Sequence, residues 1–490
     1  MPVVVTLTEP VETALAALAA ATPSLVDLKP KSIWRRALQG FAASLTAKEI
    51  ETLARHPAVS RVEPDCPVHA HGSRAMYWTG ITKAQTDFHL SGDLDGTPRE
   101  YSTDDIVIAG IDTGIDDTHV DLAGKVIGWY DVIRGRGRPY DDNGHGTWTA
   151  SIAAGAGVSS SGRRGVAYGA ALVGIKALDS CGCGTLSGVI DGVEWMVENR
   201  ERYAIRVGNM SLGGSGSSDG RDALSLATNG AVDAGIIMCV SAGNSGPGTY
   251  TISTPAAAAR AITVGALYDP SSYGWALAGF SSRGPTADRR TKPDICLPGV
   301  DIAGAVAGSH DRYSMGSGTS ASAPFATGVV ALMLAADPTL TYADVRAILT
   351  APANVKKFGP VGSNSDFGWG ISRPYDAIKE AGSFTGSWSD GIGFIYKTGS
   401  LARAGDSKSY KLRVTDPTKP IGVTLIITNW AASRDIDLYL YNSKGRRVAS
   451  STGVTRQETI AYKSSLAGDF TLLVYSYSGA GSYWFNASFT

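Results

Sequence analysis

At 490 residues the chain is long enough for two to four domains, each with its own hydrophobic core. Apolar content of 43% with 18% charged residues excludes a disordered chain, and five cysteines are too few for a disulfide scaffold. Forty-four basic against 45 acidic residues leave a net charge of -1, so no nucleic-acid-binding field is implied, and no apolar run reaches the roughly 20 residues of a membrane helix.

Residues 1 to about 70 alternate strand and helix signals. VVVTL is short and β-branched, VETALAALAAA suits a helix, and IWRRALQGFAASL suits strands. Thr46 with Glu49 in TAKEIETLARHP is a capping box opening a second helix, and VSRVEP returns to strand. The order βαββαβ predicts a small α+β ferredoxin-like unit, and the polar DCPVHAHGSR after it predicts an exposed tether. MPVVVTL lacks the charged and apolar regions of a cleavable export signal, so an exported protein would have lost its signal before this sequence begins.

From about 100 to 380 the apolar runs DIVIAGID, AALVGIKAL, RVGNMSLG, AGIIMCVSAG and ARAITVGAL alternate with helical stretches such as SGVIDGVEWMVENRERY. Continuous apolar strands separated by helices predict an α/β fold, a mostly parallel sheet covered on both faces. Ligands and catalytic groups then gather at the carboxyl ends of the strands. After about 382 the helical signals vanish. SKSYKLRVTD, IGVTLIITNW, DIDLYLYN, ETIAYKSS, DFTLLVYSYS and SYWFNASFT read as six strands of an all-β sandwich.

The polar residues ending the apolar runs can form one chemical set. In SMGSGTSASAP the small residues around Ser320 present a hydroxyl at the start of the apolar stretch FATGVVALMLAA. A serine hydroxyl is a weak nucleophile unless a base takes its proton and a third group orients that base. His145 in DDNGHGTWTA and Asp112 at the end of DIVIAGID supply these partners, and the Asn244 amide after IIMCVSAG is a donor suited to a developing oxyanion. Singly, each could be a turn or cap residue. Together they read as a triad in the order Asp, His, Ser.

The strings IDTGID, GHGT, NMSLGG, SAGNSG, FSSRGP and GSGTSASAP, in that order over roughly residues 75 to 380, resemble the subtilisin-like serine proteases. The first segment is similar to that family's inhibitory propeptide, and the last to the β-jelly-roll domain of some secreted members. The resemblance implies a propeptide over 1–72, a subtilisin-like catalytic domain over 73–381 and a jelly roll over 382–490. It implies Ser320 as nucleophile, His145 as general base, Asp112 as the group orienting it, and Asn244 with the Ser320 amide as oxyanion donors. Ser211, Leu212 and Gly213, facing Gly182, Cys183 and Gly184, would pair with an extended substrate as added strands. The small residues Ser253 to Ala259 suggest an uncharged preference in the first pocket.

It further implies a secreted, monomeric, self-processing endopeptidase, inhibited by its own propeptide until the tail CPVHAHG is cut near Ala70, His71 or Gly72. The chemistry requires no cofactor. Structural calcium could bind Asp435 and Asp437 of DIDLYLY, which share a strand face. Asp121 matches a calcium position in many relatives, but the loop AGVSSSGRRGVAYG lacks the Asn-bearing insertion that completes it, so Asp121 reads as a surface carboxylate. Cys239 and Cys296 read as buried structural thiols; Cys181 and Cys183 make a poor zinc site and are either a local disulfide or two free thiols.

Three departures from the family pattern stand out. Trp148 and Thr149 follow the HGT motif where a His and a Val are common, and Phe325 and Ala326 follow Pro324 where His-Val is common. Ala321 follows the nucleophile as in the serine-carboxyl peptidases, whose base is a Glu; His145 and Asn244 weigh against that chemistry. Altered packing rather than lost chemistry is expected. A pseudoprotease that binds peptides without cutting, or a carbohydrate-binding role for the aromatic last segment, is the non-enzyme alternative.

Overall fold

The computed structural model describes residues 2–21, 30, 32–35, 39–64, 75–464 and 466–490, and the chain divides into two compact units, Met1–Ala70 and His71–Thr490. The first runs β1 (Pro2–Leu7), α1 (Val11–Ala21), β2 (Ser32–Trp34), β3 (Gly40–Ser44), α2 (Ala47–Ala54) and β4 (Val59–Pro64). Its antiparallel sheet, ordered β2-β3-β1-β4, has the ferredoxin-like arrangement expected of βαββαβ. The capping box is present: Thr46 Oγ1 accepts the Glu49 N–H at 3.3 Å, and Glu49 Oε2 accepts the Thr46 N–H at 2.7 Å. The expected tether and the expected cut at Ala70, His71 or Gly72 lie outside the described residues.

The second unit opens with α3 (Ala75–Trp78) and α4 (Ile81–Phe88). Strands and helices then alternate: β5 (Val107–Asp112), β6 (Val126–Asp131), α5 (His145–Ala154), β7 (Ala171–Lys176), α6 (Leu186–Glu198), β8 (Ile205–Met210), α7 (Ala223–Asp233), β9 (Ile237–Ser241) and β10 (Ile262–Leu267). There follow α8 (Pro270–Tyr273), β11 (Ile295–Pro298), the hairpin β12 (Ile302–Ala305) and β13 (Tyr313–Gly316), and α9 (Thr319–Ala336). The segment closes with α10 (Tyr342–Thr350), β14 (Val355–Lys356), β15 (Ile371–Ser372) and α11 (Pro374–Ala381).

Nine strands form one sheet in the order β14-β15-β11-β10-β9-β8-β5-β7-β6, parallel except for β14. Alternate residues of β5 face opposite layers, as a two-residue period demands. Val107, Ala109 and Ile111 join a core with Val193 of α6 and Val232 of α7, while Ile108 joins one with Ile152 of α5 and Val329 of α9. Although α9 is long and apolar enough to cross a membrane, 83% of it is buried inside the protein, as the central core helix. The chain leaves β5 toward β6 and β7 on one side and later builds β8 to β11 on the other. That reversal opens a crevice at the carboxyl ends of β5 and β8, where Asp112 and Ser211 stand.

The remaining strands are β16 (Gly393–Leu401), β17 (Ser407–Val414), β18 (Ile421–Ile427), β19 (Asp435–Tyr441), β20 (Arg447–Ser451), β21 (Gln457–Tyr462), β22 (Gly468–Ser478) and β23 (Gly481–Phe489). They form two antiparallel four-stranded sheets, β16-β23-β18-β21 and β17-β22-β19-β20, which share a core of residues such as Leu412, Leu425, Leu438, Leu472 and Phe485. Beyond the six strands read from the sequence, β16 and β20 are new, and both are sheet edges whose residues are mostly solvated. The sandwich is continuous with the α/β part: Trp275, Leu277, Phe358 and Phe367 pack with Ile426 and Trp484. Arg456 grips both oxygens of Asp366, at 2.6 and 3.0 Å.

Candidate active site

Asp112 is the last residue of β5 and His145 the first of α5, and His145 Nδ1 lies 2.7 Å from Asp112 Oδ1. Gly114, with φ of 120°, and Gly146 make the approach possible. A side chain on Gly146 would collide with the Gly114 carbonyl, and one on Gly114 with the carbonyl of Tyr140. The Asp112 side chain is 5% exposed and that of His145 32%, so the carboxylate is shielded while the imidazole reaches the cleft. Asp112 Oδ1 also accepts the Thr113 N–H at 2.7 Å, and Thr149 Oγ1 lies 3.3 Å from Oδ2. Burial pulls the imidazole pKa down, but the charge and hydrogen bond of Asp112, helped by the charge of Asp141, outweigh it and leave the value raised above 6.5.

Ser320 is the second residue of α9. Pro324 has no N–H to give to the carbonyl four residues back, which is that of Ser320. Ser211 Oγ fills the gap, donating to Ser320 O at 3.1 Å, while Ser320 Oγ donates to Ser211 O at 3.2 Å. Ser211 is set in turn by Asn209, whose Nδ2 donates to Ser211 Oγ at 3.1 Å. Among the described residues no hydrogen bond joins Ser320 Oγ to His145. Asn244 Oδ1 accepts the Thr319 N–H and Oγ1–H at 2.9 and 3.0 Å. Among the described residues its Nδ2 has no acceptor, and that nitrogen and the Ser320 amide border the same space beside Gly318.

A cleft of about 600 Å³ is bordered by His145, by Gly182, Cys183 and Gly184 on one side, and by Ser211, Leu212 and Gly213 on the other. The two expected substrate edges are therefore walls of one cavity. Of Ser253 to Ala259, Thr254 lines this cavity, whereas Ala256, Ala257 and Ala258 are 0 to 1% exposed in the core under it. The residues that depart from the family pattern are packed into the fold. Trp148 lies against Gly304 and Gly316, where no Cβ would fit, and Phe325 is 2% exposed in the core.

Several supporting residues escaped the sequence. Asp141 accepts from Thr113 Oγ1, the Asn143 and Gly144 amides, and both the amide and hydroxyl of Thr147 at 2.7 to 3.1 Å, clamping the β5 turn to the start of α5. The signal was the Asp-Asp-Asn-Gly turn before His145. Lys176, fully buried, donates to the carbonyls of Thr113 and Leu178 and to Asp142. Asn209 and Asn486, which sit in N-x-S/T sequences, are 3% and 0% exposed and engaged inside the fold.

Asp121 corrects an expectation: it is 0% exposed, not at the surface. Its oxygens accept the Val158 N–H at 2.6 Å and the Tyr313 hydroxyl at 2.5 Å, donors from the short loop and from β13. Asp435 and Asp437 are 9% and 3% exposed on β19, and Glu458 of β21 is 1% exposed beside them. Asp435 Oδ1 and Glu458 Oε1 are buried without a hydrogen-bond partner. Burial, against the opposing pull of Ser451 and Gly453, drives the Glu458 carboxyl up to about 7, with the two aspartates adding to the rise. Unpartnered buried carboxylate oxygens are the donor type a hard divalent cation takes, although the oxygens of these three residues do not all lie within 4.8 Å of one another. Asp93, Asp95 and Asp105 also converge, but each accepts backbone N–H groups of its own loop.

Two known families match this chain. Residues 103–370 match the model of the subtilase family and residues 29–71 that of the peptidase inhibitor I9 family. The chain is 41% identical over 266 residues to the serine protease AprX of Bacillus subtilis (strain 168), covering 50% of this chain and 60% of that protein. It is 35% identical over 315 residues to subtilisin E of the same organism, covering 64% and 74%. The solved structure of sphericase superposes with a TM-score of 0.51 at 28% identity, over 60% of this chain and 97% of that one.

Proposed function

The chain belongs to the subtilase family of serine endopeptidases, and from that premise we propose that it hydrolyses peptide bonds of proteins through an acyl-enzyme on Ser320. The 2.7 Å contact of His145 with Asp112, on a cleft whose wall residue Ser211 is hydrogen-bonded to Ser320, carries this reading. Ser320 Oγ turns from the Ser211 carbonyl to His145 Nε2, gives up its proton there and attacks the substrate carbonyl carbon. The oxyanion takes hydrogen bonds from Asn244 Nδ2 and the Ser320 amide. His145 then protonates the leaving amine, and water, deprotonated by the same imidazole, releases the acid. Substrate lies extended between the edges at Gly182 to Gly184 and Ser211 to Gly213, with an uncharged residue before the scissile bond.

The test is hydrolysis of casein at pH 4 and pH 8 by the parent, Ser320→Ala and His145→Ala, after removal of the first unit. Activity at pH 8 abolished by both substitutions is expected. Activity confined to pH 4 that survives loss of His145, or none in the parent, overturns the assignment.

The match of residues 29–71 to an inhibitor family supports the first unit as an intramolecular inhibitor. On our reading it is released by cutting near Ala70 to Gly72, and the protein is secreted and monomeric. The division of the chain after Ala70 supports a separate first part, and the change from α/β to all-β elements after Ala381 supports the boundary of the third, although the second and third share one compact unit. The interleaved strand orders of the last part, first-eighth-third-sixth and second-seventh-fourth-fifth, support a jelly roll. A structural calcium ion is held by Asp435 and Asp437 with Glu458, and the chemistry itself needs no cofactor. EGTA should lower the melting temperature of the parent, and Glu458→Gln should remove most of that response. An unchanged melt in the parent contradicts the site.

A further inference from the structure

We propose that Cys181 and Cys183 form a reversible disulfide within one loop of the cleft wall, a modification site that weakens the hold on substrate when closed. The effect on substrate rests on the proposed binding edge; formation of the bond does not.

Four described cysteines are free, and they fall into two kinds. Cys239 and Cys296 are fully buried, and burial pushes each thiol up to about 12, out of reach of both solvent and thiolate chemistry. Cys181 and Cys183 are exposed and line the cleft that His145 also lines. Only the second kind can meet an oxidant.

The loop already curls the pair together. Asp179 N–H donates to Cys183 O at 2.8 Å and Gly182 N–H to Asp179 O at 3.0 Å, closing a tight turn. One oxygen, Asp179 Oδ1, accepts both the Cys181 and the Cys183 N–H, at 2.8 and 3.0 Å. Holding both amides on one oxygen bends the chain at Gly182, which brings the two Cα atoms in from the roughly 7 Å of an extended i, i+2 pair toward the roughly 4.4–6.8 Å that a disulfide spans. Cys183 Sγ lies 3.8 Å from the Cys181 carbonyl oxygen, so the second thiol points back along the chain toward the first residue. Gly182 between them has φ of 73°, a left-handed turn that a larger residue would resist.

The chemistry balances with a small-molecule disulfide as oxidant. The thiolate of one cysteine attacks a sulfur of R–S–S–R and releases one R–S⁻, leaving a mixed disulfide. The thiolate of the other cysteine attacks the protein sulfur of that mixed disulfide and releases the second R–S⁻. The two cysteines are oxidised by two electrons, R–S–S–R is reduced to two thiols, and the two cysteine protons end on them. Reduction by a thiol runs the same steps backward. Cys181, Gly182, Cys183 and Gly184 all line the cleft, so closing the ring constrains the backbone of the wall that the substrate would pair with.

Bond formation is read without activity. The full chain carrying Ser320→Ala and Cys66→Ser, so that it neither cuts itself nor offers its fifth cysteine, is equilibrated with graded mixtures of reduced and oxidised glutathione, alkylated and peptide-mapped. The expected result is that Cys181 and Cys183 lose their alkyl groups together on one peptide, two mass units lighter and free of glutathione, while Cys239 and Cys296 label only after unfolding. Persistent glutathione adducts on either residue, or two thiols that stay reduced at every ratio, overturn the proposal. The second arm uses active enzyme with Cys66→Ser. Oxidation should raise KM for a peptide substrate several-fold with kcat within about twofold, and Cys181→Ser should abolish the response to glutathione. A disulfide that forms with kcat and KM unchanged overturns the functional half, and does so without touching the assignment of Ser320.

Discussion

Asn244 and His145 are the residues where single substitutions separate chemistry from scaffold. The Asn244 amide is oriented by two hydrogen bonds into its oxygen, so its nitrogen is spent on nothing in the resting site. Asn244→Ala should lower kcat by about 10²–10³, roughly 2.7–4 kcal/mol, the loss found for the corresponding donor of a subtilisin, with KM little changed. His145 acts as a base only when neutral. Its raised pKa places the acid limb of kcat/KM above the 6.5 of an ordinary imidazole, with activity rising as pH climbs through it. Asp141 contributes to that rise, so Asp141→Asn should move the limb toward lower pH; a limb that stays put would show that its charge does not reach the ring. Asp112 and Asn244 were legible as candidates because each ends an apolar run, and His145 and Ser320 because each follows a turn of small or polar residues that opens a helix. Asn209 and Glu458 were not, because what they do depends on distant groups they meet, while Asp141 left only the local signal of the Asp-Asp-Asn-Gly turn.

At the scale of elements, the α9 terminus is built around a missing hydrogen bond. Pro324 leaves the Ser320 carbonyl without a helical donor, and Ser211 Oγ at the end of β8 supplies one, tying helix to strand at the nucleophile. Ser211→Ala should therefore destabilise the Ser320→Ala chain by about 1–3 kcal/mol in urea unfolding. Pro324→Ala restores an N–H, so the two substitutions should compensate: the loss from Ser211→Ala shrinks in the Pro324→Ala background. Strict additivity would contradict this account of the helix start. Elements with both faces buried, such as β5 and β7, were readable as continuous apolar runs. The edge strands β16 and β20 were not, since one row of solvated residues carries no alternation to read. Asp121 was misread because Tyr313, its partner, is 192 residues away.

Across the molecule, the sandwich is a working part of the second unit's core. Arg283 is fully buried and donates to Gln457 Oε1 of β21 at 2.5 Å, and beside it Arg456 of the same segment holds Asp366. Burial lowers the Arg283 guanidinium to about 10, against the raising charge of Asp366. Arg456→Ala leaves Asp366 with a single, longer contact to Arg283, at 3.4 Å, in a site where the carboxylate is 4% exposed. Breaking a buried pair in this way should cost about 3–5 kcal/mol and lower the melting temperature. A chain ending at 382 should expose Trp275, Leu277, Phe358 and Phe367 and melt well below the parent. The sequence announced a separate β segment; its fusion to the α/β core was hidden because the contacts that make it join distant residues, such as Arg456 with Asp366, 90 positions apart, and Arg283 with Gln457, 174 apart.

The central claim is that Ser320 is a nucleophile activated by His145, and covalent labelling tests it most directly. The active chain is treated with a serine-reactive phosphonofluoridate at pH 8, digested, and its adducts located by mass spectrometry. The account predicts one adduct, on Ser320, forming in step with loss of activity and at least a hundredfold more slowly in His145→Ala. Loss of activity with the adduct on another residue, or full activity with Ser320 labelled, would contradict it.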